Sequence, residues 1–224
     1  MKKSITVLIT FFLASLLISH SILLGQQKQT PVIQPKVAAS PVSIFVSASY
    51  FGPKFTDINA VYQVIERNLS LPAGNDFKSY YSVLTGIRFT PGNGQSVQGE
   101  FGGSVLKSAK ENSTNFLQLY YAGGSYIISV PMPMVSIYGG GGLGYIWLNT
   151  QRTYGTRLGV VTVNGQLVQI HGILGIEFFD PSGVSFALEG RYSNATTVSP
   201  TRADLDFTIK GIDVGIRIGV PINF

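Results

Sequence analysis

Residues 211–224 read Gly-Ile-Asp-Val-Gly-Ile-Arg-Ile-Gly-Val-Pro-Ile-Asn-Phe. Ile212, Val214, Ile216, Ile218, Val220, Ile222 and Phe224 hold every second position, and Gly211, Asp213, Gly215, Arg217, Gly219, Pro221 and Asn223 lie between them. A period of two sends the two sets to opposite faces of a β-strand, one wholly apolar and the other small or charged. In a soluble barrel the apolar face turns inward and the polar one outward; in a membrane barrel the order is reversed. One strand does not decide between these. The connections do.

The alternation runs back through the chain. Val184, Phe186, Leu188 and Tyr192 alternate with Ser185, Ala187, Glu189, Arg191 and Ser193. Val168, Ile170, Leu174, Ile176 and Phe178 alternate with Gln169, His171, Gly175 and Glu177. Ile137, Leu143, Tyr145 and Trp147 alternate with Tyr138, Gly140, Gly142 and Gly144. Residues 115–130 form a less regular strand, expected to carry a bulge. Val97, Phe101 and Val105 alternate with Glu100, Gly102 and Ser104, and Tyr81, Val83, Thr85, Ile87 and Phe89 with Ser82, Gly86 and Arg88. Ile44, Val46, Ala48 and Tyr50 open the set of eight. Each strand is near or above the roughly 9–11 residues that cross a bilayer at a tilt.

Pro91-Gly92-Asn93-Gly94, Pro131-Met132-Pro133 and Asp180-Pro181-Ser182-Gly183 are tight-turn sequences. Between them fall links expected to be longer, at 51–79, 109–114, 149–166 and 195–206. Short turns at one end and long loops at the other is the outer-membrane pattern, and an even strand number puts both termini at the short-turn, periplasmic end. On the apolar face, Phe89, Phe178 and Phe224 sit near the short turns and Tyr50, Tyr81, Tyr145, Trp147 and Tyr192 near the long loops. Two aromatic girdles of this kind mark the membrane interfaces; aromatic core packing in a soluble barrel is the competing account. The sequence therefore predicts an all-β fold, an eight-stranded antiparallel transmembrane up-and-down β-barrel over residues 42–224.

Composition agrees. Charged residues are 12% of the chain, against about 25% in soluble domains. Cysteine is absent, which excludes thiolate zinc sites, disulfide scaffolds and cysteine nucleophiles. The net charge is +5 without a Lys/Arg cluster, so the dense basic face that nucleic-acid binding requires is missing. Met1-Lys2-Lys3 followed by an apolar stretch at 5–24, broken only by Ser, Thr and His20, reads as a signal peptide over 1–25. An uncleaved transmembrane anchor competes on length, and cleavage after Ser21 fits as well as after Gly25. Residues 26–41, rich in Gln, Lys and Pro, read as a flexible periplasmic tail.

Tyr138-Gly139-Gly140-Gly141-Gly142-Leu143-Gly144-Tyr145 resembles the Tyr-x-Gly-x-Gly-Leu-Gly-Tyr strand of opacity-type and outer-membrane-protein-A-type barrels. The last strand, ending in Phe224, resembles their C-terminal assembly signal. Ile137 stands where those proteins usually have proline. The resemblance covers residues 42–224. It implies an eight-stranded barrel inserted from the periplasm by the barrel-assembly machinery. It implies no single activity, because members include adhesins and structural proteins.

The glycine run mimics a phosphate-binding loop, but Tyr145 to Leu148 continues a strand where that motif needs a helix. Gly140, Gly142 and Gly144 are expected instead to thin the inner wall and leave room for long side chains. Those are the inward-facing charges: Arg88, Glu100, Glu177, Glu189, Arg191, Asp213 and Arg217. The hairpin at Asn93 should set Arg88 roughly opposite Glu100, and Glu189, Arg191 and Arg217 fall at similar heights. Buried charges need partners and an eight-stranded lumen is narrow, so a salt-bridge plug is expected, with a narrow polar conduit as the alternative. His171, the one histidine after the leader, faces inward and lacks the neighbouring lipid-facing serine of barrel deacylases; a structural role is expected. Ile58, Val61, Tyr62, Ile65 and Leu69 recur at helical spacing behind Asp57, a candidate N-cap. They predict a short helix over the barrel mouth, or a ligand surface.

The expected function is a non-enzymatic outer-membrane barrel with a structural or surface-binding role through its extracellular loops. A narrow channel for small solutes or hydrophobic compounds, and a lipid-modifying enzyme, are the alternatives. No cofactor or metal is expected. The expected partners are outer-membrane lipids, the barrel-assembly machinery during biogenesis and a surface ligand, with no nucleic acid.

Overall fold

The computed structural model describes residues 42–92, 94–110, 113–155, 159–198 and 208–222. The proposed signal peptide and tail (1–41), the C-terminal Phe224 and most of the 195–206 link lie outside these residues. The described elements are β1 (Val42–Lys54), α1 (Thr56–Asn68), β2 (Tyr80–Gly92), β3 (Gln95–Lys110), β4 (Ser113–Met132), β5 (Val135–Tyr154), β6 (Val160–Phe179), β7 (Ser185–Thr197) and β8 (Thr208–Pro221). Each strand pairs antiparallel with the next, and β8 returns to β1, closing a barrel. Closure satisfies every backbone group between strands, which a lipid surround demands.

Register decides what faces where. Val220, Ile44 and Ile87 align across β8, β1 and β2, as do Ile216, Ala48 and Val83. These residues point away from the axis, and Ile216, Phe101 and Leu143 are more than 60% exposed. The opposite face carries buried Arg88, Gln98, Glu100, Arg191 and Arg217. The sorting is inverted relative to a soluble barrel, so lipid is the medium that satisfies the outer wall. The girdle residues meet in pairs: Tyr50 and Tyr81 rings are 5.4 Å apart, Tyr145 and Trp147 4.7 Å.

The short turns form where the sequence places them. In the β6–β7 turn, Asp180 Oδ1 accepts from Ser182 N–H at 2.9 Å and Gly183 adopts φ 90°, which only glycine takes without strain. The long links differ. β5 and β6 run on in register to Thr153 opposite Val160, so most of 149–166 is paired strand. β3 and β4 continue to Lys110 opposite Ser113, leaving two residues between them. The extended stretches are rich in Thr and Val, which suit strands in water as in lipid.

The bulge expected in residues 115–130 is absent: β4 keeps unbroken register from Ser113 to Met132 with β5, and the shift falls between Phe89 and Gly92 instead. The irregular pattern has another cause. Leu117, Leu119 and Tyr121 face inward while Phe116 and Tyr120 face outward, so both faces are apolar. The upper lumen is a hydrophobic core. Phe51, Tyr80, Leu119, Ile146, Leu167 and Ile209 form its floor, and α1 packs Ile58 and Tyr62 onto it with Phe55 and Phe77. Asp57 is not the N-cap: that position is Phe55, without a side-chain cap, and Asp57 accepts from Thr208 N–H at 2.9 Å. Leu69 ends the helix 61% exposed, so the apolar stripe stops at Ile65.

Candidate functional site in the barrel lumen

Inward alternation brings charged side chains from five strands to one level of the lumen. Arg88 on β2 contacts Glu177 on β6 at 3.0 Å, and Glu177 also meets Arg217 on β8 at 3.2 Å. Arg217 reaches Glu189 on β7 at 3.2 Å, Glu189 meets Arg191 at 3.3 Å, and Arg191 holds Glu100 on β3 through contacts of 2.5 and 2.9 Å. The six charges thus alternate in sign along one chain. Gln98 joins its ends: its Oε1 accepts from Arg88 at 2.9 Å, and its Nε2 donates to Glu100 at 3.2 Å. Arg88 does not face Glu100, as the turn at Asn93 had suggested. The β2–β3 register puts Gln98 opposite Arg88 and Gly86 opposite Glu100.

Two tyrosines buttress the ring of charges. Tyr138 donates to Glu189 at 2.9 Å and Tyr121 to Glu100 at 3.0 Å. The Arg217 guanidinium also lies 5.0 Å from the Tyr138 ring and 5.5 Å from that of Phe45, a favourable cation–π placement. Both tyrosines lean over glycines of a neighbouring strand. A Cβ on Gly144 would strike the Tyr121 ring, and one on Gly175 would strike that of Tyr138. The inner wall is thinned as expected, and aromatic rings occupy the space.

Asp213 stays apart. It lies directly across from Arg191 in the β7–β8 register, yet Arg191 turns to Glu100 and Glu189. Among the described residues Asp213 has no ion pair or hydrogen-bond partner.

His171 faces the lumen 3% exposed, and its Nε2 lies 2.8 Å from Ser125 Oγ. Ser125, Gly142 and His171 are successive register partners on β4, β5 and β6, and the glycine lets the two side chains meet above it. Ser125 was missed from sequence; the signal was a glycine flanked in register by two polar residues. His171 Nδ1 has no partner.

A second polar cluster pins the cap. Arg152, 1% exposed in its side chain, contacts Glu66 of α1 at 2.5 Å and Asn115 at 2.8 Å, and also donates to the Asn75 carbonyl. Its guanidinium lies 4.4 Å from the Tyr62 ring. Glu66 accepts further bonds from Tyr154 at 2.7 Å and from the Gly74 N–H at 3.1 Å. Burial pushes the Glu66 carboxyl up, but the bonds from Tyr154, Arg152 and Gly74 and the Arg152 charge outweigh it and hold the group below its ordinary range. Arg152 escaped the sequence reading because it lay in a presumed loop.

From the short-turn end outward, the lumen thus holds a ring of paired charges, an apolar floor and a helix bolted over it. The fold is that of the small eight-stranded outer-membrane β-barrels. Among solved structures, the chain is similar to Neisserial surface protein A, with a TM-score of 0.53, 12% identity, and coverage of 82% of this chain and 99% of that one. It is also similar to Ail, the attachment invasion locus protein of Yersinia pestis, with a TM-score of 0.51, 12% identity, and coverage of 81% and 99%. No protein-family model matches the chain, and no curated protein matches it in sequence.

Proposed function

We propose that the protein is a closed barrel of the bacterial outer membrane that carries out no chemistry and serves a structural or surface-binding role at its extracellular end. The observation that carries this reading is the filled lumen: an ion-paired layer and a capped apolar layer lie in series, so a solute would have to breach both. The Ser125–His171 contact resembles half of a nucleophilic site, but a catalytic base needs a third group to orient it and a substrate within reach. His171 Nδ1 is unpartnered and both side chains are buried within the lumen. The outward apolar belt fits outer-membrane lipid as the surrounding partner, and Phe224 fits a signal read by the barrel-assembly machinery.

Planar-bilayer recording on the refolded protein tests the closed state. The expected trace is the bare-membrane baseline with brief openings at most. A steady single-channel conductance, lost on blocking the lumen, would replace this reading with that of a channel.

A further inference from the structure

We propose that Asp213, with the oxygen atoms facing it inside the lumen, forms a binding site for one small monovalent cation, sodium or potassium.

The first argument is charge. Arg88, Arg191 and Arg217 are matched one for one by Glu177, Glu189 and Glu100 in the alternating chain of ion pairs. Asp213 is a fourth carboxylate in the same enclosure, with no fourth guanidinium. Asp213 is half-buried, and a charge drawn out of water without an ion pair is unfavourable, so the lumen is left wanting one positive charge at this aspartate. Arg191 is near, but both of its terminal nitrogens are engaged by Glu100 and Glu189.

The second argument is independent of charge. Asp213 lines two neighbouring cavities, of about 40 and about 20 Å³. The larger is also lined by Ser104, Gln169 and Ser193, which are 5%, 6% and 1% exposed. Ser104 Oγ, Gln169 Oε1 and Ser193 Oγ have no hydrogen-bond partner. Buried polar atoms are nearly always satisfied. Three orphaned oxygens around one space, beside an unpaired carboxylate, make a hard-oxygen donor set of the kind that alkali and alkaline-earth ions take. Ser47 and Ser49 line the smaller cavity, and Arg191 lines both.

The donor set and the space select the ion. Divalent ions are usually held by several carboxylates, and no cluster of three or more His, Cys, Asp or Glu occurs among the described residues. At about 10–15 Å³ of such space for each water-sized group, the larger cavity takes a bare ion with about two waters. A quaternary ammonium ion does not fit.

The test is thermal unfolding of the detergent-folded full chain at fixed pH and ionic strength, with sodium, potassium or choline as the sole added cation. The midpoint should rise saturably with sodium or potassium over choline. The rise should vanish in Asp213→Asn and need more salt in Ser193→Ala, which keeps the charge and removes one ligand. Equal midpoints in all three salts would overturn the proposal and leave a proton on Asp213 with water around it. A sodium-dependent rise that survives in Asp213→Asn would also overturn it. Should Asp213→Asn fail to fold, sodium-23 line broadening by the wild type, weakened in Ser193→Ala, decides in its place.

Discussion

Arg217 holds Glu177 and Glu189 at once and lies over the rings of Phe45 and Tyr138. Replacing it with methionine leaves each carboxylate one guanidinium, from Arg88 and Arg191 respectively. Breaking a buried pair costs about 3–5 kcal/mol, so the variant should unfold at clearly lower denaturant in detergent micelles. Because the apolar floor lies above the ion pairs, its bilayer conductance should match the wild type; unchanged stability with raised conductance would mean that Arg217 gates a conduit. Gly144→Val is a steric counterpart: its Cβ would strike the Tyr121 ring and displace the hydroxyl from Glu100. Overpacking of this kind costs about 1–3 kcal/mol, measurable in the same titration. At this scale the sequence shows who faces the lumen but not who meets whom. Arg88 and Glu177 sit on β2 and β6, and Arg191 and Glu100 on β7 and β3, so their contacts span the lumen. Periodicity along one strand carries no information about the opposite wall.

The helix and the long strands raise a different question. The 3.6-residue spacing of Ile58, Val61, Tyr62 and Ile65 announced α1, and those side chains do turn toward the barrel. Its anchor, Arg152, was hidden because polar residues at 149–153 imitate a loop when a strand leaves the membrane. β4 was misjudged for the converse reason, since two apolar faces erase alternation without any bulge. The anchor predicts a pH response. The Glu66 carboxyl is held below its ordinary value near about 4.3, so its contribution is complete above that value and is lost as pH falls through the lowered one. Hydrogen-exchange protection of α1 amides in micelles should therefore drop on acidification below about pH 4, while mid-strand amides stay protected. Glu66→Gln should show the loosened helix already at neutral pH. Acid-insensitive α1 protection in the wild type would mean that the apolar contacts alone hold the cap.

At the scale of the whole molecule, the architecture was readable because lipid imposes one rule on every strand, apolar side chains on the outward face, eight times over. That redundancy survives errors in any single strand, as β4 demonstrates. The folded protein should run faster than its boiled form on SDS electrophoresis and sediment with outer membranes; a soluble periplasmic species without a mobility shift would contradict the inverted sorting. The rule holds only as far as the bilayer reaches. β4, β5 and β6 are 20 residues each, roughly 65 Å of strand at about 3.3 Å per residue, whereas the apolar band of such barrels is about 25 Å tall.

The surplus length stands outside as paired wall. A one-residue insertion there would slip the register and turn every later side chain inside out, so this exterior can diversify by exchanging side chains but not by growing. Lengthening is left to the tips, beside α1 and between the strand ends. An antibody or phage raised against the wall would meet fixed spacings, a rigid stencil, where most surface proteins of this size offer yielding loops.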